Sequence, residues 1–411
     1  MPQEVYHHTF DNGLTLLAER MEQVRSAALN ILIPAGCVYD PLEQQGIASV
    51  LSELFSRGAG PLDSRGLTEA LDNLGVDRGE SVGQMNMHFW ARGLARNLPL
   101  TLELYADIVR RPHLPEDELD AVKALAIQDI QSLEDDPRHY LLVQLRKHHY
   151  PPPLGNDRRG TEQSVERLTI DDLRSHYQRL FGPRGAIIAV AGNIDWEVLK
   201  EQVGRLFGDW QGGVQEPLTL GPAPAKQAHI PKDTTQTQIG IAYASVPVGH
   251  PDYYQALGAV NVLSGGMSAR LFTEVREKHG LCYAISAGYE TFKDRASVIC
   301  YAGTTNERAQ KTLDLTLREL RRLSEGIEAE EVERVQAGLK SSLIMQQEST
   351  AARANALTSD WYFLGRVRTL DEIQAAVDAL TPQTIIDHLH RCPAQDFTIV
   401  TLGPKALACP N

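Results

Sequence analysis

Two blocks decide how this chain is put together: VERLTIDDLRSH at residues 165–176 and VDALTPQTIIDH at residues 377–388. Val165, Leu168, Thr169 and His176 correspond to Val377, Leu380, Thr381 and His388 at one constant offset of 212 residues. Each block leads into an apolar run ending in glycine, Ala186–Gly192 and Phe397–Gly403. Short apolar runs of this kind read as buried strands, and the shared order of block and strand predicts a duplicated unit.

Upstream of the first block, Tyr6–Phe10, Leu14–Glu19 and Ala27–Ile33 read as strands, with Asn12-Gly13 as the turn between the first two. Ile47, Val50, Leu51, Leu54 and Phe55 recur at helical offsets and predict a helix over 46–55, ended by Gly58 and Gly60. Further helices are expected over 67–74 and 98–110, with a strand or hairpin at 80–94 between them. A long helix should start at Pro115 and run to about Leu133, where Glu134-Asp135-Asp136-Pro137 closes it. A helix over 138–148 follows, then a loop over 150–160 rich in Pro and Gly, a helix over 171–180, a strand over 186–191 and a helix over 196–207.

Residues 211–226, QGGVQEPLTLGPAPAK, hold three glycines and three prolines without periodicity and read as a linker. After it the order restarts, with a strand over 237–245, a helix over 253–263, strands over 283–290 and 296–302, and long helices over 307–324 and 329–347. The expectation is an α+β protein of two tandem, topologically similar domains, residues 1–210 and 227–411, each a mostly antiparallel sheet with helices packed against it. At 411 residues the chain is long enough for two cores.

The net charge of −13 and the lack of clustered Lys and Arg exclude a nucleic-acid partner from the expectation. Five cysteines, at 37, 282, 300, 392 and 409, show no C-x-x-C spacing and predict neither a disulfide framework nor a zinc ribbon. The opening MPQEVYHHTFDNG has no basic region followed by an apolar core, and no apolar run reaches membrane-spanning length, so the protein is expected to be cytoplasmic and off the membrane. The pairs His7-His8 and His148-His149 are sequence neighbours, which point apart on a helix or strand, and read as loop or surface histidines.

The richest stretch chemically is SGGMSARLFTEVREKHGLCY, residues 264–283. Leu271, Phe272 and Val275 recur at helical spacing, and Gly280 stands where a helix would end before a strand. Arg276 and Tyr283 flank that break, two hydrogen-bond donors that could converge on a developing oxyanion. Cys282 beside them reads as a small buried hydrophobe.

Taken in order, Asn12-Gly13-Leu14, GCVYDPLEQQGIA (36–48), EDDP (134–137), PLGNDRRGTEQSVERLT (153–169), LSGGMSARLFTEVREKHGLCY (263–283) and LKSSLIMQQESTAARANAL (339–357) resemble the pitrilysin/insulinase type of zinc metallopeptidase, in its mitochondrial-processing-peptidase-like branch. The resemblance implies a clam-shell made from two such domains. It also implies an inverted zinc motif, H-x-x-E-H, on the first helix of the first domain, with a further glutamate from the long helix. Two imidazoles at i and i+4 share a helical face and bind zinc, while the glutamate serves as general base.

Placed on Gly46-Ile47-Ala48, that pattern puts Ser49 at the first histidine, Ser52 at the glutamate and Glu53 at the second histidine. Gln128-Asp129 stands where the family has a pair of glutamates. Serine is a poor zinc ligand at neutral pH and no useful base, so this chain is expected to hold no catalytic zinc. Arg276 and Tyr283, by contrast, fall on the pair that the family uses to bind substrate and stabilise the tetrahedral intermediate.

What the resemblance implies is a non-catalytic subunit that closes the peptide chamber of a homologous, H-x-x-E-H-bearing partner and lends Arg276 and Tyr283 to the partner's zinc site. Two other readings stand beside it: a structural or peptide-holding homologue without proteolysis, and an autonomous metallopeptidase with a rearranged metal site around Glu53 and Asp129.

Overall fold

The computed structural model describes residues 3–214 and 217–409. Residues 215 and 216 of the expected linker lie outside the described residues, and the rest of 211–225 carries neither helix nor strand.

The first half runs β1 (Glu4–Thr9), β2 (Thr15–Arg20), β3 (Ser26–Ile33), α1 (Ile47–Leu54), the short pair β4 (Gly58–Ala59) and β5 (Leu62–Asp63), α2 (Ser64–Asn73), β6 (Asp77–Val82) and β7 (Met87–Leu94). It continues with α3 (Leu98–Arg110), α4 (Leu119–Asp135), α5 (Pro137–His149), α6 (Glu162–Arg167), α7 (Ile170–Leu180), β8 (Ile187–Gly192) and α8 (Trp196–Phe207). The second half holds β9 (Gln227–Pro231), β10 (Gln236–Ser245), α9 (Tyr253–Ser264), β11 (Cys282–Thr291) and β12 (Ala296–Thr305). After these come α10 (Ala309–Arg322), α11 (Ala329–Gln347), α12 (Thr350–Leu364), α13 (Leu370–Asp378), α14 (Pro382–Arg391) and β13 (Thr398–Gly403). The stretch 271–278, expected as an ordinary amphipathic helix, is instead wound as a π-helix.

Contacts divide the chain into two units that do not follow sequence order. One comprises Met1–Ser132, Asn156–Leu220 and Gln346–Tyr362, and the other Leu133–Gly155, Gly221–Met345 and Phe363–Asn411. The expected division at 211–226 places α5 with the first half and α12 with the second, whereas contacts assign α5 to the second unit and most of α12 to the first.

The reason is visible on the sheets. In the first unit the order is β1-β2-β8-β3-β7-β6, antiparallel except for the parallel pair β2·β8. Side chains alternate between faces along a strand. Leu16 and Ala18 of β2 and Leu29 and Ile31 of β3 enter a core with α1, α3, α7 and α8. Ala28 of β3 and Ala191 of β8 lie on the opposite face and pack with Ala354 of α12.

The second sheet, β11-β12-β10-β13-β9, is built the same way, with β13·β9 as its parallel pair. Ile239, Ile241 and Tyr243 of β10 face α9, α10 and α14, while Ala242, Val400 and Leu402 meet Leu141 and Leu145 of α5. Each fully buried leucine of that kind contributes about 1.5–3 kcal/mol. Covered on both faces, β8 and β13 are buried along their whole length, which is why they read as unbroken apolar runs.

The duplication holds at the level of register. Thr15 stands opposite Ile187 in the first sheet and Gln227 opposite Ile399 in the second, both partners displaced by the same 212 residues. The blocks 165–176 and 377–388 lead into α7 and α14, whose N-caps Thr169 and Thr381 each form a capping box. Among the described residues no helix is long and apolar enough to cross a membrane.

Candidate functional site

The sequence singled out two sets of side chains, one in each unit.

The first set starts from α1. Gly46 adopts φ +91° immediately before the helix, a left-handed conformation that glycine tolerates, and its N–H donates to Asp40 Oδ2 at 2.9 Å. Burial pushes the Asp40 carboxyl up to about 8, although the Gly46 and Ala48 amides oppose that shift. From this anchored start, the alternation of Ile47, Val50, Leu51 and Leu54 buries one side of the helix.

Ser49 and Ser52 both bond main-chain carbonyls. The Ser49 hydroxyl donates to the Arg158 carbonyl at 2.7 Å, and the buried Ser52 hydroxyl donates to the Ser49 carbonyl at 2.8 Å. Glu53 is exposed, and its charge, after burial, helps to raise the Glu80 carboxyl of β6 above the usual range. Gln128 and Asp129 are exposed on α4.

Asp129 is held by a residue that the sequence reading passed over. The Arg159 guanidinium donates through Nε to Asp129 Oδ2 at 2.6 Å and through Nη1 to Asp157 Oδ1 at 3.1 Å. Arg159 and Asp157 are each 9% exposed in their side chains, against 59% for Asp129. Arg158-Arg159 lie in the Pro/Gly loop and in one of the stretches that carry the resemblance, but neither gave them a partner, and the pairing spans 30 residues, so local pattern carried no sign of it.

This donor set does not fit zinc. Zinc sites use imidazole, thiolate or carboxylate donors, whereas here the first ligand position is a hydroxyl engaged with a main-chain carbonyl, the second is the exposed Glu53 in place of an imidazole, and Asp129 is ion-paired to arginine. Among the described residues no group of three or more His, Cys, Asp or Glu is placed to hold a metal ion.

Of the histidine pairs, His7 is exposed, whereas His149 differs from the surface reading. His149 bonds Thr398 Oγ1 at 2.9 Å and Ser297 Oγ at 2.7 Å through its two ring nitrogens, and burial, with Lys226 adding to it, holds its pKa down at about 4.

The second set lies in the other unit and was partly legible. Arg276 is on the π-helix Leu271–Lys278, which ends where Gly280 turns to φ +58°; Gly280 N donates to the Arg276 carbonyl and Leu281 N to the Val275 carbonyl, both at 3.0 Å. π-helical turns widen the spiral and recur at functional positions. The guanidinium stacks between two rings, its carbon 4.6 Å from the Phe272 centroid and 5.3 Å from the Tyr283 centroid. It makes no hydrogen bond or ion pair with any described residue.

Tyr283 owes its position to a β-bulge. Cys282 stands opposite Thr304 and Ala284 opposite Gly303, which leaves Tyr283 as the extra residue of β11. A bulge re-aims a side chain out of the pleat. The ring is accordingly 80% exposed, while Cys282 beside it is buried. The structure thus brings Arg276 and Tyr283 together and adds Phe272 as a third member, which the sequence signalled only as one of three apolar residues at helical spacing.

Comparison with known proteins covers both units. Residues 15–162 match the family model described as insulinase, peptidase family M16, and residues 167–339 match the peptidase M16 inactive domain. An uncharacterized zinc protease of Bacillus subtilis, YmxG, is 27% identical over 406 residues, covering 98% of each chain. An uncharacterized zinc protease of Rickettsia bellii is 26% identical over 401 residues, covering 97% of each. The crystal structure of a peptidase M16 inactive domain from Pseudomonas fluorescens aligns with a TM-score of 0.89 over 99% of both chains at 20% identity. A protease from Helicobacter pylori aligns with a TM-score of 0.88 over 98% of this chain and 100% of its own, at 18% identity. At those identities the two structures show a shared fold.

Proposed function

The chain belongs to the insulinase family of peptidases, M16, and from that premise we propose that it is the non-catalytic subunit of a two-subunit zinc metalloendopeptidase. It closes the peptide chamber of a homologous partner that carries H-x-x-E-H, and offers Arg276 and Tyr283 to the peptide held there. The observation that carries this reading is the contrast between the two sets of side chains. Ser49, Ser52 and Asp129 are committed to neighbours within their own unit, whereas Arg276 and the exposed Tyr283 are fixed by stacking and have their polar groups left over.

The chemistry asked of the pair is simple. When a peptide carbonyl is attacked, negative charge develops on its oxygen, and donors already in position stabilise it without reorganising. Arg276 supplies a planar guanidinium with several donors, and Tyr283 a phenolic O–H. The stacking between Phe272 and Tyr283 fixes the guanidinium before substrate arrives, which lowers the ordering cost of the contact. A zinc ion on the partner would supply the Lewis acidity that polarises the scissile carbonyl.

The test is reconstitution. Purified alone, the chain should cleave no peptide. Combined with an M16 relative that has an intact H-x-x-E-H, it should yield a peptidase whose kcat falls by about 100-fold or more with Arg276→Ala and by at least tenfold with Tyr283→Phe. Reconstituted activity that both substitutions leave unchanged would remove the basis of the proposal.

A further inference from the structure

The relatives are zinc proteases by name, yet the residues at this chain's metal positions do not fit zinc. We propose that those positions have been rebuilt around a different cation: the Arg159 guanidinium stands in the metal's stead as the positive charge at the distal position on α4, carried by a loop whose Arg158 carbonyl bonds Ser49 of α1. This inference does not rest on the partner reading above and survives if that reading fails.

Three observations carry it. First, two consecutive residues reach both ends of the former site. The Arg158 carbonyl accepts from Ser49, at the first ligand position, and the Arg159 side chain binds Asp129, at the distal one. Second, Arg159 is fixed from behind by Asp157, which receives its Nη1 at 3.1 Å and its main-chain N–H at 3.2 Å. Third, the loop is pressed onto the start of α1: a Cβ built at Gly46 would lie 2.3 Å from the Arg159 carbonyl oxygen. Any side chain at position 46 would have to push the loop away.

The chemical consequence follows from what a guanidinium is. It carries five donors and no acceptor, so it satisfies carboxylate lone pairs much as a cation does but has no empty orbital for a carbonyl or a water. The arrangement keeps the structural part of a metal's work and discards the Lewis acidity. A fixed positive charge, 9% exposed, also opposes entry of a divalent ion into the same place. Restoring the missing ligands should therefore fail to restore the metal while Arg159 is present.

The experiment uses the full chain. The ligand set is rebuilt as Ser49→His, Ser52→Glu, Glu53→His and Asp129→Glu, once with Arg159 retained and once with Arg159→Leu. Each protein is loaded with zinc, dialysed and analysed for bound metal, with circular dichroism as the check on folding. The expected ratio of zinc to chain is below about 0.1 with Arg159 and near one with Arg159→Leu. Equal, near-stoichiometric binding by both would overturn the proposal. So would folded proteins that both stay free of zinc, because Arg159 would then not be what excludes it. Should the rebuilt chains fail to fold, a double-mutant cycle in the otherwise native chain decides. Asp129→Asn should lower the thermal midpoint less in an Arg159→Met background than in the native one, and full additivity would overturn the idea.

Discussion

Glu19 and Arg353, 334 residues apart in sequence, meet in the interior of the first unit through three hydrogen bonds of 2.8–3.1 Å. Both are almost fully buried, at 5% and 2% exposure, and they fasten α12 to β2. A buried ion pair adds little against a well-packed apolar substitute, but removing one partner strands the other charge. Arg353→Met should therefore cost about 3–5 kcal/mol in a urea titration, and adding Glu19→Gln should recover part of the loss. A single-mutant cost under about 1 kcal/mol would mean that the pair is not the fastening.

The five thiols should differ in reactivity. The thiolate is the attacking form. Burial pushes Cys282 up to about 11, with Arg276 opposing, and Cys300 up to about 12, while Cys37 is raised by burial as well. Brief iodoacetamide treatment at pH 8 should mark the half-buried Cys392 and Cys409 first and leave the other three for denaturant. Mass spectrometry of the peptides reads the order directly. Fast labelling of Cys282 would show that the strand carrying Tyr283 opens far more often than its packing implies.

His149 predicts a loss of stability in acid. Its folded pKa of about 4 lies below the unfolded value near 6.5, so the neutral ring is the form that folding favours. The stabilisation is complete above about pH 6.5 and is lost as pH falls from there towards 4, at up to about 1.4 kcal/mol per unit. Urea midpoints measured at pH 7 and pH 5 should drop more for the native chain than for His149→Gln. Parallel drops would assign the acid sensitivity to other groups.

Two glycines with positive φ should respond unequally to alanine. At Gly280 a Cβ meets nothing within 4 Å, so only the left-handed backbone opposes the change, at about 1 kcal/mol. At Gly46 the same strain is joined by the contact with the Arg159 carbonyl. Gly46→Ala should lower the thermal midpoint several times further than Gly280→Ala, and comparable losses would count against the close packing of that loop.

Much of the fold was legible because it rests on local regularities. The apolar runs at β8 and β13, the threonine caps before α7 and α14 and the glycine after the Arg276 helix each leave a mark within a dozen residues. The duplication was legible because both copies keep those marks at one spacing. What stayed hidden is tertiary or involves a single inserted residue. The bulge at Tyr283 leaves Cys-Tyr-Ala-Ile reading as an uninterrupted strand. The bonds from Arg159 to Asp129 and from Arg353 to Glu19 join positions whose neighbours give no hint of one another. The helices α5 and α12 are legible at most as helices, since nothing in either states which sheet it will cover.

The exchange of those two helices sets an order of events on the ribosome. The face of the first sheet that carries Glu19 and Ala28 gains its cover only when residues 346–362 have been made, late in a chain of 411. Until then the nascent first unit holds an acidic group and small apolar side chains open to any binder in reach. It cannot finish folding until α12 has been made, by which point most of the second unit's chain is out as well, and the second unit waits longer still, for α13, α14 and β13.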